Sequence, residues 1–168
     1  MSEVNVQLVH LNDWIISNGL SLNVIKICHM LINGSNIKDE YEVKIGAIPI
    51  PRVNVTKLLG LYLDEKLKWN VHTNYIADRI SKICGVMYAI RNKLTDTAKR
   101  TIYMSLIYSH IIYCLPIWGN TWATHVRPVE LAQKRAIRTI CNASRYEHTH
   151  ELFIRCKLLK LKFSKLKL

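Results

Sequence analysis

The sequence predicts an α+β fold: a small antiparallel sheet with one helix, followed by a mostly α-helical region. Three observations carry that expectation. Short β-branched runs bounded by turn residues lie before Trp69. Beyond Trp69, apolar residues recur every three or four positions. The chain has 168 residues and is 49% hydrophobic, enough for a real core.

Near the N-terminus, Val6, Leu8, Val9, Leu11, Trp14, Ile15 and Ile16 sit mostly at helical spacing, and Asn18-Gly19 supplies a left-handed stop. Leu20-Ser21-Leu22-Asn23 reads as a turn, and Ile25 to Ile32 as a first strand. A loop at Asn33-Gly34-Ser35-Asn36 precedes a second strand, Tyr41 to Ile45. Gly46-Ala47 turns it into Ile48-Pro49-Ile50-Pro51, whose prolines restrict that piece to an edge or a linker. Val53 to Leu63 reads as a continuous third strand inside a sheet.

The helical region starts with Val71 to Asn92, whose apolar face is Ile76, Ile80, Ile83, Val86, Met87 and Ile90. Thr95 is a suitable N-cap for a second helix running through Ala98 to Tyr108. An apolar stretch extends from Ser109 to Trp118. Pro128 suits the first turn of a helix to about Cys141, with Lys134, Arg135 and Arg138 along its polar side. Thr149 is the expected cap of a last helix from His150 to Cys156, and the tail alternates Lys with Leu or Phe. The division falls at Lys68-Trp69, giving regions 1–68 and 69–168.

Charge is uneven. The net charge is +12, yet residues 1–50 hold three basic against five acidic side chains, so the whole excess lies beyond residue 50. A basic region joined to a near-neutral one points to a polyanionic partner, nucleic acid being the commonest. Cys28, Cys84, Cys114, Cys141 and Cys156 are widely spaced without a CxxC, which reads as reduced thiols in an intracellular compartment, nucleus or cytoplasm left open. The longest apolar stretch, Leu106 to Trp118, is interrupted by Ser109, His110 and Pro116 and is short of a membrane span, so no membrane partner is expected. His148-Thr149-His150 with Cys141 and Cys156 fits no common zinc-finger spacing.

Several short motifs stand in a fixed order: Asn12-Asp13-Trp14, Leu20-Ser21-Leu22-Asn23, Lys26, Leu59-Gly60, Tyr113-Cys114, Trp118-Gly119 and Gln133-Lys134-Arg135-Ala136. In that order and spacing the chain resembles the C-terminal part of a non-LTR, jockey-like retrotransposon reverse transcriptase, an RNA-directed DNA polymerase. The resemblance covers nearly the whole chain; Ile27 departs from it, standing where the family usually has threonine.

The resemblance implies that 1–68 is the end of the polymerase palm and 69–168 a thumb-like region. It implies that Lys26 lies on the pyrophosphate side of the nucleotide site, and that Leu59 and Gly60 belong to the primer grip. The family's adjacent catalytic aspartates occur nowhere in the sequence. No catalytic residue or cofactor is therefore expected in this chain, and Mg2+ only for the intact polymerase. Asp64-Glu65 and Asp39-Glu40 are acidic pairs without the further oxygens that a hard metal needs.

Arg79, Lys82, Arg91, Lys93, Lys134, Arg135 and Arg138 are the expected contacts to the backbone of an RNA–DNA hybrid or DNA duplex. The missing N-terminal polymerase region is a further expected partner. Two other readings are a freestanding basic nucleic-acid-binding or interaction module, and a non-functional mobile-element remnant.

Overall fold

A computed structural model describes residues 3–32 and 42–161. The chain falls into two compact units, Met1–Leu67 and Lys68–Leu168. Its α+β class is as expected, but the strands form two separate antiparallel hairpins instead of one sheet.

In the first unit, helix α1 (Glu3–Ser17) ends where Gly19 takes φ 71° and the Asn18 side-chain amide donates to the Trp14 carbonyl at 2.7 Å. None of its residues is buried, and Val4, Val6, Val9, Leu11, Trp14 and Ile16 are all exposed. The side chain of Asn5 ties α1 to the segment Glu42–Lys44 that opens the first hairpin. Its amide donates to the Glu42 carbonyl (3.1 Å) and its oxygen accepts from the Lys44 N–H (3.0 Å).

The expected strand Ile25–Ile32 is absent. Its start is a 3-10 turn, Val24–Lys26, with Ile25 98% exposed. The rest of the run makes a single parallel bridge, His29 to Arg52. A β-branched run becomes a strand only when a ladder neighbour is supplied. Among the described residues, that neighbour is present only at the bridge.

Strands β1 (Lys44–Ile45) and β2 (Ile48–Pro49) pair across Gly46-Ala47, Gly46 supplying φ 60°. The expected continuous strand Val53–Leu63 is instead a second hairpin, β3 (Val55–Leu58) and β4 (Leu61–Asp64), turned at Leu59-Gly60. With φ 47° at Leu59 and 89° at Gly60, both turn residues are left-handed, as a two-residue hairpin loop with right-handed strand twist requires. The expected loop Asn33–Asn36, the pair Asp39-Glu40, Tyr41 and the tail past Leu161 lie outside the described residues.

The second unit is built on two long helices, α2 (Asn70–Ile90) and α6 (Ala123–Ile140), packed together. From α2 come His72, Thr73, Ile76, Ala77, Ile80, Cys84 and Met87; from α6 come Val126, Val129, Ala132, Ala136, Ile137 and Ile140. Each large aliphatic among them contributes roughly 1.5–3 kcal/mol by leaving water. The expected apolar face of α2 holds for Ile76, Ile80 and Met87 but not for Val86 (64% exposed) or Ile90.

Between the long helices run α3 (Asp96–Ile102), a π-helical stretch Tyr103–Tyr108, α4 (Ser109–Ile112) and α5 (Leu115–Trp118). Thr95 caps α3 as expected, its hydroxyl accepting from the Ala98 N–H at 3.2 Å. Pro128 is a correction. Helix α6 begins at Ala123, so Pro128 sits inside it and not in its first turn. Trp122 is the residue before that helix, and its carbonyl accepts from His125 and Val126. The last helix, α7 (Thr149–Arg155), starts one residue early, with Thr149 buried instead of capping.

Three of the landmark residues, Trp118, Gly119 and Gln133, are packing positions. Trp118 is fully buried and donates its indole N–H to the Tyr113 carbonyl at 2.9 Å. A Cβ on Gly119 would stand 2.5 Å from the Leu115 carbonyl oxygen, so only glycine fits there. Gln133 is the polar hub of the unit. Its amide donates to the Tyr103 hydroxyl and the Leu159 carbonyl, both at 3.0 Å, and its oxygen accepts from the Leu161 N–H at 3.0 Å. Three good bonds make this buried amide a specific clamp holding the C-terminal segment on α6.

Candidate nucleic-acid interface

Where α2 and α6 end, their basic residues meet. A groove of ≈ 700 Å³ is lined by Tyr88, Arg91, Arg135, Arg138, Thr139 and the loop residues Asn142, Ala143, Ser144 and Arg145. Four guanidinium groups and no carboxylate are among its lining residues.

Each wall has a sequence reason. On α6, Arg135, Arg138 and Thr139 recur three and four residues apart beside the buried row Ala132, Ala136, Ile140. Arg91 opens a 3-10 turn, Arg91–Lys93, directly after α2. Its guanidinium stacks on the Tyr88 ring at 3.7 Å and donates to the Tyr88 carbonyl at 2.6 Å. Arg138 donates through Nε to the Glu147 carbonyl at 3.1 Å, leaving its terminal nitrogens for other work. Asn142, at φ 50°, reverses the chain after α6 and brings Ser144 and Arg145 round to the groove.

The expected contacts therefore divide. Arg91, Arg135 and Arg138 come together. Arg79 does not: it lies twelve residues before Arg91, about 18 Å along α2. It bonds the Tyr75 hydroxyl at 3.0 Å. Lys82 is nine residues before Arg91, about two and a half turns away. Lys93 is exposed beside the groove without lining it. Lys134 lines a different hollow with Glu130, Gln133, Phe153, Lys160 and Leu161.

Arg145 and Tyr88 complete the site. Arg145 carries no sequence signal because it sits in a loop, where helical spacing says nothing; Tyr88, near the end of α2, is 57% exposed. Lys99, in sequence one more basic helix residue, is 3% exposed and 3.4 Å from Asp96.

Lys26 stands exposed at the end of its 3-10 turn, and Leu59 is 82% exposed at the β3–β4 tip. The Asp64 carboxylate is buried, accepting from the Lys66 N–H at 3.2 Å in the turn after β4. No group of three His, Cys, Asp or Glu able to hold a metal occurs among the described residues. These residues do not fit a two-metal centre. No helix among the described residues is long and apolar enough to cross a membrane.

A buried aromatic cluster stabilises the other end of α2. His72 lies edge-on to Trp69 and Trp118 and stacked with Tyr75. Burial holds its pKa down at about 4, so the ring is neutral at pH 7. The Cys84 thiol, buried between the long helices, is pushed up to about 11 and is inert.

Comparison with known proteins adds the decisive observation. The chain is 25% identical over 153 residues, 89% of its length, to the RNA-directed DNA polymerase from mobile element jockey of Drosophila funebris. It is 30% identical over 108 residues to the protein of the same name in Drosophila melanogaster. It is 30% identical over 101 residues to a probable RNA-directed DNA polymerase from transposon X-element of Drosophila melanogaster.

The chain is similar to reverse transcriptases of jockey-like retrotransposons.

It spans only 11–16% of the length of these reverse transcriptases. No protein-family model matches it, and no solved structure does.

Proposed function

We propose that this chain is a fragment from the C-terminal part of a retrotransposon reverse transcriptase, its second unit acting as a thumb that grips the backbone of an RNA–DNA hybrid or DNA duplex. The observation that carries the reading is the groove of Arg91, Arg135, Arg138 and Arg145, with no carboxylate among its lining residues. Guanidinium forks match phosphate oxygens geometrically and give affinity without reading sequence. Such contacts suit a polymerase, which must hold any duplex it makes.

On this reading the first unit is the end of the palm. Leu59 and Gly60, at an exposed hairpin tip, meet the primer strand, and Lys26 faces the leaving pyrophosphate. The metal-binding carboxylates come from polymerase sequence outside these 168 residues. The chain alone is then inactive in DNA synthesis, and that further polymerase sequence is its natural partner.

The test is binding of the purified chain to labelled hybrid, duplex DNA and single strands over a salt series. Double reversal at Arg135 and Arg138 (to Glu) is expected to weaken hybrid binding at least about tenfold and to reduce the salt slope by about two. Reversal at Arg79 and Lys82 serves as the comparison and is expected to do less. A folded chain that binds no duplex, or whose binding survives the first pair and fails with the second, sinks the proposal.

A further inference from the structure

Cys141 and Cys156 are fifteen residues apart in sequence and meet in space. Each is the residue closing a helix, α6 and α7 respectively, and their Sγ atoms lie 2.7 Å apart. The backbone on both sides is clamped: Arg155 donates to the Cys141 carbonyl (3.4 Å) and Arg100 to the Cys156 carbonyl (3.1 Å). Neither thiol is buried away. Both line an open cleft of ≈ 630 Å³ together with Arg100, Arg155 and Lys157. Three cations outweigh the one carboxylate in the lining, Asp96, and leave the cleft net positive beside two accessible thiols, which favours an anionic reagent.

We propose that Cys141 and Cys156 are a modification site: a dithiol that closes to a reversible disulfide by exchange with a small anionic disulfide. The Cys141 thiolate attacks one sulfur of the reagent, its S–S bond breaks, and one thiolate leaves. The Cys156 thiolate then attacks Cys141 Sγ in the mixed disulfide, forming the protein disulfide and expelling the second thiolate. Two protein thiols are oxidised, one reagent disulfide is reduced to two thiols, and the two protons end on them. Burial and the bond with Cys141 raise the Cys156 thiol to about 11, so closure speeds as pH rises.

Closure has a structural consequence. The bridge would close residues 141–156 into a ring that contains Asn142, Ser144 and Arg145, one wall of the arginine groove. Asn142 lines both the groove and the thiol cleft. Oxidation is thus expected to stiffen the loop that presents Arg145.

The probe is oxidised glutathione, titrated into the reduced full chain at pH 8, followed by alkylation of remaining thiols and peptide mass analysis. The expected product is a Cys141–Cys156 crosslinked peptide lacking two hydrogens, restored by reductant, with Tm raised by roughly 5–10 °C. Cys141→Ser and Cys156→Ser, checked for folding by circular dichroism, are expected to lose both effects. A variant with Cys28, Cys84 and Cys114 all changed to Ser is expected to keep them. Stable glutathione adducts on both residues, pairing with another cysteine, or no crosslink in the folded chain would overturn the proposal.

Discussion

At the scale of the residue, His72 carries the sharpest consequence. Its pKa is about 4 in the folded chain against an ordinary 6.5. Below pH 6.5 the unfolded chain therefore binds a proton that the folded chain refuses. Stability is whole at pH 7, falls as pH drops from 6.5 toward 4, and levels off below that. The loss is about 2 kcal/mol after allowing for relaxation around the ring. Urea unfolding at pH 7 and pH 4.5 should show it, and His72→Phe, packing against the same two tryptophans, should flatten the difference.

Individual residues also show what a sequence can reveal. Arg135 and Arg138 were legible because they share a polar helix face. Gln133 was legible as a landmark, but its work was not. Only the fold brings Tyr103, Leu159 and Leu161 to one amide. Lys99, basic yet 3% exposed, shows the same limit, since charge counts do not report burial.

At the scale of elements, helices were read better than strands, although α6 starts well before its expected first turn at Pro128. Helix α2 matches its expected span within about two residues at each end, because an apolar face over twenty residues has one solution. The run Val53–Leu63 had two. Continuous apolar character suits an inner strand or a tight hairpin, and Gly60 decided it by accepting φ 89°. Leu59 shares the left-handed turn without glycine's freedom, at a cost of about 1 kcal/mol. Leu59→Asn, which gives the preferred Asn-Gly turn, should therefore raise first-unit stability by about 0.5–1 kcal/mol in urea melts followed by hydrogen exchange. Pro128 was misplaced because a first-turn preference says nothing of where the helix starts.

At the scale of the molecule, the two units differ in how they are held. The second has its own core, from Met87 and Ile80 through Trp118 to Leu161, each nearly or fully buried. Among its described residues the first holds few buried side chains, Ile45, Ile50, Leu61 and Asp64, and a helix with none. Residues 68–161 expressed alone should keep the helical circular dichroism and unfold in one cooperative step. A non-cooperative melt would mean that the core needs more of the chain than this. The division near Lys68 was visible as a change of hydrophobic period. The arginine groove was not, since its walls come from three segments spread over more than fifty residues.

The π-helical stretch Tyr103–Tyr108, where the Ser109 N–H reaches back to the Met104 carbonyl, holds one residue more than an α-helix of the same rise. That surplus residue works like a slack link in a chain. Deleting one residue there would convert the stretch to ordinary α-helix and leave everything beyond it in the same phase. Ile111, Leu115 and Trp118 would keep their places in the core. The same deletion in the middle of α2, which has no slack to give up, would turn the rest of that helix by about 100° and damage this unit far more.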